Sequence, residues 1–214
     1  KALSILNKKN LHGLKLAKKA IFFEQKIMKE VVGSQDQIAS SIGGFNKIKF
    51  LKNDKFIINR IPKKNLNNLN SNLMLLFTGI QRKAHNIAKN YVNKLSNKKE
   101  KNVLKIMKFV DVAERLILNN DLHNFGRLMN EAWQEKKLLS KTITNNKIDN
   151  LYNYALRNGA LGGKLLGAGG GGFLLLYVPK EKQLGLSRKL KNLIHVPFRF
   201  SYQGSHEILN TVRK

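Results

Sequence analysis

The chain contains no cysteine, only three prolines and thirteen carboxylates, and no apolar run long enough to span a bilayer. Without cysteine there are no disulfides, no thiolate-bound metals and no thiol nucleophile, which fits a reducing compartment. No secretory pattern opens the sequence and residues 1–10 carry no targeting character, so a cytoplasmic location and no membrane partner are expected. Thirteen acids leave few candidates for acid–base or metal chemistry. The five histidines (His12, His85, His123, His195 and His206) form no ligand-spaced pair, and no Gly-x-Ser-x-Gly elbow is present.

Positive charge is what the chain has in excess. Forty Lys and Arg against thirteen Asp and Glu give a net charge of +27, enough for any fold to adsorb polyanions through counterion release. A non-catalytic RNA- or polyanion-binding protein is therefore the alternative function. Three features weigh against it. The basic residues are 32 Lys and only 8 Arg, they are spread along the whole length, and 26 Asn accompany them, a profile of low-GC coding bias. Aromatics, at 8%, do not interleave with basic clusters as a stacking platform requires. No specific nucleic-acid partner is expected, and composition leaves the oligomeric state open.

An apolar content of 42% over 214 residues supports one large domain or one and a half ordinary ones. Apolar residues recur at helical spacing from Asn10 to Lys29, and a small-residue stretch after Asp36 ends at Gly43-Gly44. Phe45–Leu51 and Lys55–Ile61 read as strands, and the Asn/Lys-rich residues 63–72 as a linker. Leu73–Phe77 reads as a buried strand. Four helices are then expected, around 84–95, 103–117, 122–139 and 147–158, the last stopped by Asn158-Gly159. A strand at Phe173–Val178, a helix at 180–193 and a strand at Val196–Tyr202 complete an α+β order.

Seven of the sixteen glycines lie between Gly162 and Gly172. Backbone without Cβ atoms can adopt positive φ and lie against a ligand or another strand. The order around the run reads as helix, loop, strand. A Walker A loop or a dinucleotide fingerprint needs the reverse order, and Gly172 is followed by Phe173 rather than Lys-Ser/Thr. Either a tight helix-to-strand connection or a phosphate-contacting loop remains open.

Three other places could carry chemistry. Asp36, in Gly33-Ser-Gln-Asp36, is either a helix-initiating carboxylate or a functional one. Glu24 lies in an apolar stretch where burial without a partner would be costly, unless it points to solvent. Thr78-Gly79-Ile-Gln-Arg82 joins a strand to a helix and is either an ordinary turn or an anion site in which Arg82 forks a phosphate.

Together these segments resemble the GHMP small-molecule kinases, and within them the sugar-kinase branch acting on heptose phosphates. The resemblance rests on Glu24 through Gly33-Ser-Gln-Asp-Gln-Ile-Ala-Ser-Ser-Ile-Gly-Gly44, on Leu76–Arg82 and on Gly159–Phe173, with a weaker echo in Pro197–Ser205. It implies a ribosomal-S5-domain-2-like N-terminal domain, of which residues 1–70 are the tail, and a ferredoxin-like C-terminal domain over residues 71–214. It also implies ATP-dependent phosphoryl transfer to the anomeric hydroxyl of a heptose 7-phosphate, with Mg²⁺. By the same resemblance Asp36 faces the substrate hydroxyl and Glu24 helps hold Mg²⁺. Gly167, Ala168, Gly169, Gly170, Gly171 and Gly172 pack near the triphosphate, and Gln35, Gly79 and Arg82 line the sugar-phosphate pocket. One element of the family is missing: the Pro-x-x-x-Gly-Leu-Gly-Ser-Ser loop that cradles the phosphates does not occur here. The chain is therefore expected to begin at or after the helix following that loop, and to have negligible kinase activity alone.

Overall fold

The computed structural model describes residues 1–53, 55–80, 97–167 and 169–207. Its residues group into two compact units, Lys1–Pro62 with Phe200–Lys214, and Lys63–Arg199.

In the first unit, α1 (Ala2–Leu6) precedes α2 (Gly13–Phe22) and α3 (Gln35–Ile42). α2 and α3 pack together through Leu16, Ala17 and Ile38, all buried. The helix expected over 10–29 does not continue as an α-helix. After Phe22 it widens into a π-turn, Phe23–Ile27, in which the Met28 N–H reaches back to the Phe23 carbonyl at 2.9 Å. Such turns are rare and concentrate where a helix presents a functional side chain. α3 ends at Gly43, whose φ of +68° and closeness to the Gln203 backbone exclude a side chain; a Cβ there would lie 2.2 Å from the Gln203 carbonyl carbon. The two expected strands are present as β1 (Asn46–Phe50) and β2 (Phe56–Arg60), and they pair as an antiparallel hairpin registered from Asn46 opposite Arg60 to Phe50 opposite Phe56.

The second unit opens with a correction. Residues 63–72 are not a linker but a 3₁₀ turn, Lys63–Asn65, and a helix α4 (Asn67–Ser71), with Leu66 and Leu69 fully buried. Two leucines among five asparagines gave too weak a pattern to mark a helix in the sequence. β3 (Leu73–Phe77) follows as expected. The helix anticipated over 84–95 lies outside the described residues. α5 (Asn97–Leu118), α6 (Leu122–Leu139) and α7 (Asn146–Arg157) match the other three, and α8 (Lys180–Lys189) is four residues shorter than its expected span. α7 shows how local chemistry fixes an element. The Asn145 Oδ1 accepts from the Ile148 N–H, and the far end closes with Ala160 N–H to Ala155 O and Gly159 N–H to Leu156 O around Gly159 at φ +104°. Between these caps Ile148, Tyr152 and Ala155 are buried.

The glycine run holds the second correction. Gly162–Leu165 is a strand, β4, paired antiparallel with β5 (Phe173–Tyr177), so the order is helix, strand, loop, strand. Among the described residues, only 166, 167 and 169–172 lie between the two strands. Gly162 and Gly163 are glycines for packing: a Cβ at Gly162 would meet the Gly126 carbonyl of α6 at 2.1 Å, and one at Gly163 the Leu175 carbonyl at 2.4 Å. The last strand is not where it was expected: residues 196–202 form no strand, and the pairing segment lies just before them. β6 is Ile194–His195, extended by a single bond from the Val196 N–H to the Leu75 carbonyl; Pro197 has no N–H with which to continue the ladder.

The sheet order is β4-β5-β3-β6 with every neighbour antiparallel, the split-βαβ order of ferredoxin-like folds within an α+β architecture. Leu76, Leu174, Leu176 and Leu165 share a core with Trp133 of α6, Tyr152 and Ala155 of α7, and Leu186 of α8. The Trp133 and Tyr152 rings lie 6.2 Å apart, tilted by 49°. No helix among the described residues is long and apolar enough to cross a membrane.

Candidate functional site

Each unit assembles one cluster from the expected residues. In the first, Glu24 sits in the π-turn and its carboxylate accepts a hydrogen bond from the Gln37 amide of α3. Gln25, its neighbour, donates to the Val32 carbonyl at 2.9 Å and to the Ser34 hydroxyl at 3.3 Å. The π-turn and the start of α3 are thus tied by two consecutive side chains. Asp36 and Gln35 are exposed in the first turn of α3, behind Ser34 at the N-cap position. Asp36 is therefore a first-turn residue, where free N–H groups and the helix dipole favour a carboxylate. Gln37 carries no assignment in the sequence. It is 7% exposed, and its position directly after Asp36, on the inward face, is the signal that could have found it.

In the second unit the β4–β5 loop is fixed on two sides. On one, the Thr78 N–H and hydroxyl both donate to the Gly172 carbonyl, at 2.9 and 2.8 Å, and the Gly172 N–H donates to Ile80 O at 2.8 Å. On the other, the Gly170 N–H donates to Ile143 O at 2.9 Å and the Asn145 side-chain amide donates to Gly170 O at 3.0 Å. Glycine is required for this approach: a Cβ at Gly169 would lie 2.7 Å from the Ile143 carbonyl oxygen, and one at Gly171 2.5 Å from that of Ile80. Positive φ at Gly167, Gly169, Gly170 and Gly172 bends the loop into a backbone-lined surface. Gly79, at φ +71°, stands exposed between the two Thr78–Ile80 anchor points. The loop and Gly79 are thereby brought together; Ala168 and Arg82 lie outside the described residues.

A cavity of about 640 Å³ opens beside this loop, lined by Ile80, Lys141, Thr142, Thr144, Asn145 and Lys147 among others. Apart from Ile80, which lies in the Thr78–Arg82 segment, none of these stood out in the sequence, since residues 141–147 have no motif of their own. Lys136 of α6 also faces the loop, its Nζ 3.5 Å from the Gly167 carbonyl. Burial, and the Lys164 ammonium next to it, push Lys136 down to about 8. A folded-state value below the unfolded one means that the charged form strains the fold at neutral pH, and that the strain is relieved as pH rises through 8 towards the unfolded value of 10.5. Lys136→Met is expected to raise the melting temperature by a few degrees at pH 7. Thermal melts from pH 7 to 10 should show this advantage shrinking, and an advantage constant with pH would exclude Lys136 as the titrating group.

Residues 113–194 match the family described as GHMP kinases C terminal. The chain is 31% identical over 179 residues to the D-glycero-alpha-D-manno-heptose 7-phosphate kinase of Campylobacter jejuni, covering 82% of this chain and 53% of that protein. Residues 113–194 are therefore a GHMP kinase C-terminal domain, and the chain is similar to that family over most of its length. Two solved structures agree with this assignment. A D-glycero-D-manno-heptose 1-phosphate kinase from Bacteroides thetaiotaomicron superimposes with a TM-score of 0.72 at 25% identity, covering 98% of this chain and 60% of the other. A sugar kinase from Campylobacter jejuni gives 0.72 at 27% identity, covering 95% and 59%. The chain thus spans about half the length of the curated heptose kinase and about three fifths of the solved ones.

Mg²⁺, which the family implies, can be tested against the donors present. Among the described residues no three or more His, Asp or Glu side chains assemble into a metal cage. Of the carboxylates assigned a role in the sequence, that of Glu24 is held in place, one of its oxygens accepting from the Gln37 amide. Mg²⁺ is commonly held by one or two carboxylates together with substrate phosphates, so the Glu24 carboxylate fits a metal shared with phosphates and not an autonomous site.

Proposed function

We propose that the chain is the larger C-terminal part of an ATP-dependent sugar kinase, acting on the anomeric hydroxyl of a heptose 7-phosphate in the cytoplasm. Residues 1–70 are then the tail of its N-terminal domain and residues 71–214 its C-terminal domain. The observation that carries this reading is the glycine loop held by Thr78, Ile80, Ile143 and Asn145, in a chain 31% identical to a heptose 7-phosphate kinase.

In this reading the loop, Gly167 to Gly172 with Ala168, offers its backbone to the ATP triphosphate, and Gln35, Gly79 and Arg82 hold the sugar phosphate. Glu24 would hold Mg²⁺, which when bound would neutralise charge on the phosphates. Gln37 fixes the Glu24 carboxylate so that it need not reorganise on binding. Asp36 orients the sugar hydroxyl. As the bond from that oxygen to the γ-phosphorus forms and the bond to the bridging oxygen breaks, Asp36 accepts the hydroxyl proton late, and ADP leaves. Positioning and electrostatics carry most of the rate, as in phosphoryl transfer generally.

The test joins this chain to the N-terminal portion of the Campylobacter relative, which restores the length those kinases have. ADP release is then followed with heptose 7-phosphate, galactose and mevalonate. Turnover with the heptose phosphate at least tenfold above the others is expected, and equal or absent turnover on all three would defeat the assignment. The chain alone is expected to give negligible turnover. RNA binding by the chain, titrated from 50 to 200 mM salt, should fall by orders of magnitude and show no sequence preference. Binding that resisted salt would favour the polyanion-binding alternative.

A further inference from the structure

Asn145 makes two hydrogen bonds through the two ends of one amide. Its Oδ1 accepts the Ile148 N–H at 3.1 Å and so caps α7; its Nδ2 donates to the Gly170 carbonyl at 3.0 Å. The amide orientation is set by the chemistry of both partners, since a backbone N–H can only donate and a carbonyl can only accept. The Gly170 N–H returns to Ile143 O at 2.9 Å, so the turn and the loop exchange two bonds around one buried glycine. At Gly169 a Cβ would lie 2.7 Å from the Ile143 carbonyl oxygen, so the loop can sit this close to Ile143 only without a side chain there.

We propose that Asn145 is a positioning residue for the glycine loop, coupling the start of α7 to the backbone surface formed by residues 169–172. Because Asn145 also lines the 640 Å³ cavity, the same side chain fixes the cavity wall relative to the loop. Four cavity-wall residues, Lys141, Thr142, Thr144 and Asn145, lie within two residues of Ile143, the other anchor. Displacing the loop from Asn145 therefore moves two surfaces at once. That this loop faces a nucleotide rests on the kinase reading above; the coupling itself does not.

Capping and coupling separate chemically. Asp and Ser replace Asn well as N-caps because each offers an oxygen to the same N–H groups. Neither can donate to Gly170 from that position: Asp carries only acceptors, and Ser is too short to reach both partners. Asn145→Ser and Asn145→Asp should leave α7 intact and free the loop, whereas Asn145→Ala should loosen both.

Amide hydrogen exchange of the full chain, read by NMR, distinguishes these outcomes. Gly170 and Gly172 report the loop, and Tyr152 and Ala155 report α7. In the Ser and Asp variants the loop amides are expected to exchange about fivefold faster, the loss of one ordinary hydrogen bond, with the α7 amides unchanged. In the Ala variant both sets should accelerate. Loop amides unchanged in both the Ser and Asp variants would overturn the proposal and reduce Asn145 to a cap. Equal acceleration of loop and helix amides in those two variants would overturn it as well. A chain that never turns over ATP would refute the kinase reading and leave this result standing.

Discussion

Asp36→Asn, in the chain joined to a relative's N-terminal portion, is expected to lower kcat by about 10²–10⁴, the range for removing a positioned proton acceptor. KM for both substrates should stay within a few-fold, because Asn has the same size and still offers one oxygen to the sugar hydroxyl. The change is mild structurally. Asp36 is exposed in the first turn of α3, so its loss costs only a favourable helix-terminus interaction of about 0.3–1 kcal/mol. A large fall in kcat with a melting temperature shifted by no more than a few degrees would therefore assign Asp36 to the chemistry. Turnover surviving within a few-fold would remove it. The second half of the test is Glu24→Gln. Gln37 donates to Glu24, and a neutral amide there keeps an acceptor for that bond while losing the charge needed for Mg²⁺. The expected signature is a raised Mg²⁺ requirement for turnover, distinct from the Mg²⁺-independent loss at Asp36.

Gly162→Ala is expected to be the most damaging single-methyl change in the second unit. The added Cβ would sit 2.1 Å from the Gly126 carbonyl and 2.6 Å from the Asn130 amide nitrogen, both backbone atoms of α6. Neither can rotate away as a side chain would, so α6 must separate from β4. Gly126 is fixed in turn by Tyr177, whose Cδ1 would lie 2.4 Å from a Cβ placed on that glycine. Overpacking of this kind costs about 3 kcal/mol or more, a large share of an ordinary domain's roughly 5–15 kcal/mol. A drop of roughly 10 °C in the calorimetric midpoint is expected for a unit of this size. Gly185→Ala is the control of opposite sign. Gly185 is exposed inside α8, and a Cβ added there would meet nothing within 4 Å, so alanine should stabilise by about 0.5–1 kcal/mol through helix propensity. If both substitutions proved neutral, the close contact between α6 and β4 would be wrong.

The contrast between those two glycines shows where sequence reading stops. Composition announced that residues 162–172 were unusual, and the apolar run after them announced a strand. It could not divide the glycines by use. Gly162 and Gly163 belong to a strand because of their partners in β5, Tyr177 and Leu176, which lie on the far side of the loop. A Gly-Gly-Lys-Leu segment has no alternation of its own to show this. The same limit hid α4, where Leu66 and Leu69 count as core only once the rest of the unit covers them. It also hid the π-turn at Phe23–Ile27, since a helix that widens by one residue keeps nearly the same apolar spacing as one that does not.

What the sequence determined by itself were properties carried by neighbouring residues. The α5, α6 and α7 periodicities, the Asn158-Gly159 stop and the two strands β1 and β2 are local, and so is the exclusion of thiol and disulfide chemistry. The family resemblance has the same character, resting on short segments whose order is preserved. Tertiary structure decided what distant segments do to one another. Asn145 is 25 residues from Gly170, Thr78 is 94 from Gly172, and Glu24 is 13 from Gln37. Each of those hydrogen bonds depends on a geometry that only the packed backbone sets. The glycine loop is consequently defined less by its own freedom than by Thr78, Ile80, Ile143 and Asn145. A run of residues able to adopt many conformations is held in one because its neighbours leave no room for a side chain and present the matching donors and acceptors.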